Sequence, residues 1–133
     1  MKFRIEGEYF GKNCFPGLND LLHQASTHPM AYGKMKKQYE FIAINAIRRD
    51  LRGWKATGYI IPHFKFGERL RGKKRDYDNI VAGGRKIILD AITKAKVIED
   101  DSPQYLDYGT NEFVYTDKPF IEVELEEVIN EQT

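Results

Sequence analysis

The run Asn79-Ile80-Val81-Ala82-Gly83-Gly84-Arg85-Lys86-Ile87-Ile88-Leu89-Asp90-Ala91-Ile92-Thr93-Lys94-Ala95 decides how this 133-residue chain folds. Ile80, Val81, Ile87, Ile88, Ala91, Ile92 and Ala95 gather within about one third of a helical circumference, so the spacing predicts an amphipathic helix over 79–95. Lys94 and Lys96 suit the negative end of its dipole. Gly83-Gly84 interrupt the pattern, at roughly 1 kcal/mol per glycine relative to alanine.

Working outward, Tyr59 to Phe66 is rich in aromatic and β-branched residues and reads as a strand, with Pro62 placing it at an edge or a bulge. A basic loop, Gly67 to Arg75, joins this strand to the helix. From about Lys34 to Arg52, Tyr39, Ile42, Ala43, Ala46 and Ile47 recur at helical steps, and Gly53 stops the helix. Gly11 to Gly33 reads mostly as loop, with a short helical turn near Leu18 to Gln24. Lys2 to Tyr9 alternates, Phe3, Ile5 and Tyr9 against Lys2, Arg4, Glu6 and Glu8, as a half-buried strand does. Beyond the helix, Tyr105 to Tyr115 and Pro119 to Val128 read as a hairpin turning at Thr116-Asp117-Lys118. In its second arm Ile121, Val123 and Leu125 alternate with Glu122, Glu124 and Glu126. The order of elements predicts a single α+β domain, with two main helices packed on a mixed or antiparallel sheet.

Composition narrows the function classes. No apolar run approaches the ~20 residues that span a bilayer, and the charges in Met1-Lys2-Phe3-Arg4-Ile5-Glu6 do not suit a signal peptide, so a cytoplasmic protein without a membrane partner is expected. Cys14 is alone, which excludes an internal disulfide and cysteine-based zinc sites. Net charge is only +1, but it is segregated. Six basic residues (Lys65, Arg69, Arg71, Lys73, Lys74, Arg75) and one acid, Glu68, lie between Lys65 and Arg75, whereas Pro119 to Thr133 holds five glutamates and no basic residue. A local basic stretch grips phosphates even in a near-neutral chain. The histidines add little: His63 sits in a strand as a structural residue, and His23 and His28 form a surface pair. No Walker-type loop or nucleotide fingerprint is present, so no nucleotide cofactor is expected, and no Ser-His-Asp or Cys-His arrangement follows from spacing.

The chemistry concentrates in Arg75-Asp76-Tyr77-Asp78-Asn79. Two aspartates at i, i+2 project to one side of an extended chain, here at the end of a run of cations and just before a helix. A further acid comes from Asp100-Asp101, past a helix of about 25 Å, so the chain must fold back or a second subunit must complete the site for all three to meet. Magnesium takes oxygen ligands, usually one or two carboxylates with waters and substrate phosphate. Carboxylates beside cations are what metal-assisted phosphodiester hydrolysis requires. The same residues have plainer uses: Asp78 as a helix N-cap, the basic run as a solvated loop, Asp100-Asp101 as a turn.

Arg75 to Asn79, then Lys86 to Ala95, then Asp100-Asp101 together resemble the core of the RusA Holliday junction resolvases. That core runs roughly Asp-x-Asp-Asn, a lysine, Asp-Ala-Leu-x-Lys-Ala and an Asp-Asp pair. The strong match covers about Arg75 to Asp101; the first half of the chain matches in outline, with Pro16 to Asn19 echoing a Pro- and Asn-containing segment. The resemblance implies a homodimeric, magnesium-dependent endonuclease (manganese being the alternative ion) that binds four-way DNA junctions and nicks two opposed strands, in DNA recombination and repair and often in a phage or prophage. It carries the family's catalytic, metal-binding acids onto Asp76, Asp78 and Asp101 and its catalytic lysine onto Lys86. DNA-binding cations would be Arg69, Arg71, Lys73, Lys74 and Arg75, with Lys34, Lys36 and Lys37 as further candidates.

The stretch from Asp78 to Asp90 is about four residues longer than in the family, and counting forward from Asp78 puts the lysine position on Ala82. In an unbroken helix Arg85 lies about 20° from Asp78 in rotation and Lys86 about 80°, which makes Arg85 the rival to Lys86, with the helix at Gly83-Gly84 as arbiter. Asp100 is a further possible ligand. The other readings are a branched-DNA-binding module without catalysis and a nuclease for flaps or duplex.

Overall fold

The computed structural model describes residues 1–128, so Glu131 of the acidic run lies outside the described residues. In chain order the elements are β1 (Lys2–Glu6), α1 (Leu18–Thr27), α2 (Pro29–Leu51), β2 (Tyr59–Arg69), α3 (Tyr77–Lys94), β3 (Thr110–Thr116) and β4 (Phe120–Val128). The strands make one mixed sheet in the order β1-β4-β2-β3, with β2 and β3 parallel and the other two pairs antiparallel. The α+β class expected from the sequence is the class observed: α2 and α3 are the two main helices, and α1 is a third, shorter one packed against them.

Alternation along the strands sets which face is covered. Phe3 and Ile5, Ile60, Phe64 and Phe66, and Ile121, Val123 and Leu125 are buried and form one core with Ile80, Ile87, Ile88, Ala91 and Ile92 of α3 and Ala43, Ile47 and Leu51 of α2. Each large aliphatic or aromatic side chain buried there contributes roughly 1.5–3 kcal/mol. Glu122, Glu124 and Glu126 of β4 lie on the other face, where Glu122 pairs with Lys2 (3.5 Å) and Arg4 (3.0 Å), and Glu126 with His63 (2.7 Å). Charge segregation in the sequence is therefore partly one strand face meeting another.

Four local expectations are corrected. The hairpin does not form: β2 lies between β3 and β4, so Val114 pairs with Gly67 on one side of β2 and Phe120 pairs with the same glycine on the other. Phe120 covers Gly67 so closely that a Cβ there would sit 2.3 Å from its ring. Pairing partners far apart in sequence outweigh the local turn at Thr116 to Lys118. Secondly, β1 ends at Glu6, because Gly7 takes φ +134°, and Tyr9 is exposed. Thirdly, 18–27 is a full helix and α2 begins at Pro29, so the segment read mostly as loop is largely helical. Fourthly, β2 continues through Arg69, taking the first residues of the expected basic loop.

Pro62 is interior to the sheet, not at an edge. It falls between the bridge Ile60–Leu106 and the start of β3 pairing at His63–Thr110, where its missing N–H leaves no ladder partner unsatisfied.

The helix 77–94 is continuous through Gly83 and Gly84. The two glycines serve packing: a Cβ on Gly83 would lie 2.6 Å from the Pro16 carbonyl oxygen, and one on Gly84 would lie 3.3 Å from the Phe66 ring. The absence of side chains lets α3 press directly onto the Pro16–Gly17 backbone and onto the sheet.

Candidate functional site

One face of α3 lines a groove. Asp78, Val81, Ala82, Arg85, Lys86 and Leu89 recur at three- and four-residue steps and form one wall. The chain turns back after Lys94, with Lys96 at φ +61°, and Asp101, Pro103, Leu106, Asp107 and Tyr108 form the opposite wall of a cavity of about 560 Å³. The chain thus folds back over its own helix, the first of the two routes by which Asp101 could approach the aspartates before α3.

Asp76 caps α3 in extended geometry (φ −66°, ψ 142°) and Asp78 lies in the first turn, so Asp76, not Asp78, is the cap residue. Both are exposed. Between them Tyr77 stacks on Phe113 of β3 at 4.1 Å, and Phe113 stacks on Phe66 at 5.6 Å, which ties the first turn of α3 to the sheet. Asp76 and Asp78 share a second groove with Leu18, Asn19, Asn79 and Ala82. Asn79 has a role no local pattern announces: its Oδ1 accepts the backbone N–H of Asn19 at 2.8 Å, satisfying a free donor in the first turn of α1 across 60 residues. Asp20 accepts the Gly17 N–H at 2.8 Å beside it.

Lys86 is exposed in mid-helix and donates to Asp90 (3.0 Å) and to Asp101 (3.4 Å). Its ammonium is held above the ordinary lysine value, mainly by the hydrogen bond to Asp90. Asp101 is therefore drawn to Lys86, two turns and about 12 Å of helix axis from Asp78. Asp76, Asp78 and Asp101 do not converge: no group of three or more His, Cys, Asp or Glu side chains able to hold one ion occurs among the described residues. Asp76 and Asp78 alone make a pair of hard oxygen donors on one groove, the number of carboxylates magnesium commonly takes. Asp100 is exposed beyond the helix end and lines none of these grooves.

Asp90 organises the middle of the helix. Burial opposes its charge, but the ammonium groups of Lys36 (2.9 Å) and Lys86 outweigh burial and hold the carboxyl below the ordinary aspartate value. A depressed folded value means a stabilising contribution that is complete above the ordinary pKa and is lost as pH falls through the folded one. Asp90→Asn should therefore lose less stability than wild type between about pH 5 and pH 3, read by urea unfolding at each pH. Parallel curves for the two proteins would show that the pair does not stabilise the fold.

The expected DNA-binding cations divide. Arg69 donates to the Lys73 carbonyl (3.3 Å), Lys74 donates to the Leu70 carbonyl (3.1 Å) and lies over the Tyr115 ring, and Arg71 and Lys73 are exposed. Arg75 is committed inward: it grips buried Glu68 through Nε (2.9 Å) and Nη2 (2.7 Å) and donates to the Phe15 carbonyl (2.9 Å). Breaking such a partly buried pair costs about 3–5 kcal/mol, so Arg75 acts first as a pin between loop and core. Lys36 is likewise paired, with Asp90 and Glu40, while Lys34 and Lys37 are exposed on α2.

Arg69, Lys73, Lys74 and Arg75 line a third groove with Asn13, Asn19, Asp76 and Asn79. It shares Asn19, Asp76 and Asn79 with the groove of the two aspartates, which shares Asp78 and Ala82 with the cavity along α3. Cations, carboxylates and the Arg85–Lys86 pair thus follow one another along a single track.

Asp107 and Tyr108 on this track are absent from the sequence reading, because only the return of the chain beside α3 brings them there. No helix among the described residues is long and apolar enough to cross a membrane. No protein-family model matches the chain, and no curated protein matches it in sequence.

Proposed function

We propose that the chain is a magnesium-dependent endodeoxyribonuclease selective for branched DNA, cutting four-way junctions as the RusA resolvases that its Arg75–Asp101 segment resembles. The observation that carries this reading is the continuous track from the basic loop past Asp76 and Asp78 to Lys86. Such a track suits a phosphodiester backbone. Cations hold the polyanion at one end, and carboxylates stand where a scissile phosphate would lie.

Each residue has a definable task. Arg69, Arg71, Lys73 and Lys74 attract and position phosphates without reading bases. Asp76 and Asp78 are the carboxylates that would hold a magnesium ion, which when bound polarises the phosphoryl oxygen and lowers the pKa of water. The resemblance gives the catalytic cation's role to Lys86; its ammonium, held by Asp90 and Asp101 two turns along α3 from Asp78, would act on the strand where it runs along the cavity. Selectivity for a junction would rest on shape and phosphate positions. Two symmetric cuts require two such tracks related by a two-fold axis, hence a homodimer on the DNA.

A substrate panel tests the reading: mobile four-way junction, flap and linear duplex, each with magnesium, with manganese and with chelator. Metal-dependent cleavage confined to the junction is expected. Equal cutting of flap or duplex would replace it with a nuclease of other specificity, and tight junction binding with no cleavage in either metal would replace it with a binding module.

A further inference from the structure

Arg85 stands apart from the other cations of the track. It is 5% exposed, yet no carboxylate among the described residues pairs with it. Its guanidinium packs against two aromatic rings, 4.7 Å from the centroid of Phe64 and 4.0 Å from that of Tyr108. One nitrogen donates to the Tyr108 carbonyl, another reaches Asn111 Oδ1 at 3.5 Å, and no acceptor among the described residues takes its Nε–H. Desolvation lowers its pKa, opposed by the nearby Tyr108 phenol. Other strongly buried charges here are compensated, Glu68 by Arg75 and Glu40 by Lys94 and Lys36. A buried cation without a counter-charge is costly, and such groups concentrate where an anion is taken up.

Placement gives it a purpose. Arg85 lines the 560 Å³ cavity, on the same side of α3 as Asp78 and about 10 Å further along the helix axis. The two ring contacts confine the guanidinium, whose edge is the part that makes forked bonds to a phosphate. We propose that Arg85 is the anchor for a phosphodiester oxyanion in this cavity, gripping the strand at one phosphate while Asp76 and Asp78 stand at another. This rests on the nucleic-acid reading above. It also separates the two adjacent cations: Lys86 is exposed and ion-paired with Asp90 and Asp101, whereas Arg85, buried, positions the strand.

The test is a titration of the ¹⁵N-labelled full chain with dimethyl phosphate and, separately, inorganic phosphate. It follows the arginine Nε–Hε signals, with sodium chloride as the ionic-strength control and Arg85→Lys to assign the signal. A saturable shift of the Arg85 signal with dimethyl phosphate, absent with chloride, is expected. Arg85→Lys should bind the diester about tenfold more weakly, since an ammonium cannot make the fork. An Arg85 signal unmoved while those of Arg69 and Arg71 shift would overturn the proposal. A response to inorganic phosphate alone would overturn its diester part and point to a terminal phosphate. Since the wild-type titration carries the result, it holds even if the variant folds poorly. Wild-type junction cleavage in magnesium separates the two failures: cutting with a silent Arg85 leaves the nuclease and removes the anchor, whereas a diester-responsive Arg85 without cutting leaves the anchor and removes the nuclease.

Discussion

Asp78→Asn is expected to lower the single-turnover rate of junction cleavage in magnesium by about a thousandfold, the loss of roughly 4 kcal/mol of transition-state stabilisation. Binding of the intact junction should be retained or strengthened. The substitution removes a ligand for the ion and also a negative charge that repels phosphate on the track. The fold should be unaffected, because Asp78 is exposed and is not the cap residue of α3. Gel-shift titration and cleavage kinetics on one labelled junction measure both effects. Unimpaired cleavage by Asp78→Asn would remove Asp78 from the site. Loss of binding and cleavage together would mean that it holds the surface and not the metal.

A large backbone effect on stability is expected at Gly83. In an exposed mid-helix position, glycine to alanine gains about 1 kcal/mol from propensity alone. At Gly83 the added Cβ would meet the Pro16 oxygen and the Gly17 carbonyl carbon at 2.6 Å, and both are backbone atoms that cannot swing aside. Overpacking of this kind costs about 1–3 kcal/mol or more, so Gly83→Ala should lose a net ~2 kcal/mol and roughly 6–8 °C in Tm. Gly84→Ala is the internal control. It has the same propensity gain, but its Cβ would meet a Phe66 ring carbon at 3.3 Å, which a small ring shift relieves, and it should unfold close to wild type. If the two variants unfold alike, α3 does not lie against Pro16–Gly17. The consequence reaches the site, because that approach places Asn79 over the start of α1 and sets Asn19 beside Asp76.

Periodicity carried much of this fold into view. The stripe of Ile80, Ile87, Ile88, Ala91 and Ile92 and the alternation of Ile121, Val123 and Leu125 each bury the face expected of them. What was not legible depends on contacts distant in sequence. Nothing in Thr110 to Thr116 says that its partner is β2 and not the neighbouring β4, since local turn signals are silent about an intervening strand. The start of α1 is satisfied in part by an asparagine 60 residues away, beside the local bond from Gly17 to Asp20, so only part of its capping signal lies in its own neighbourhood. Gly83-Gly84, read as an interruption, is a packing device whose reason lies in Pro16–Gly17.

The candidate site was legible in its residue types and less so in its grouping. Asp76 and Asp78 do share a groove beside the basic loop, as adjacency suggested. Asp101 returns to α3 but meets Lys86 instead of the aspartate pair. Arg75, counted among free cations by sequence, is spent on Glu68, because burial of that acid inside the core demands a partner. Arg85 and Lys86 both face the cavity, so the rivalry between them becomes a division of position: one buried against two rings, one exposed among acids.

The most direct measurement is strand-resolved cleavage of a synthetic four-way junction, each of the four strands labelled in turn, with enzyme in excess and with magnesium or chelator. The account predicts nicks at symmetric positions on two opposed strands, in magnesium only, and none from the same amount of Asp78→Asn. A junction that stays intact in magnesium while fully bound by the wild-type protein would contradict it.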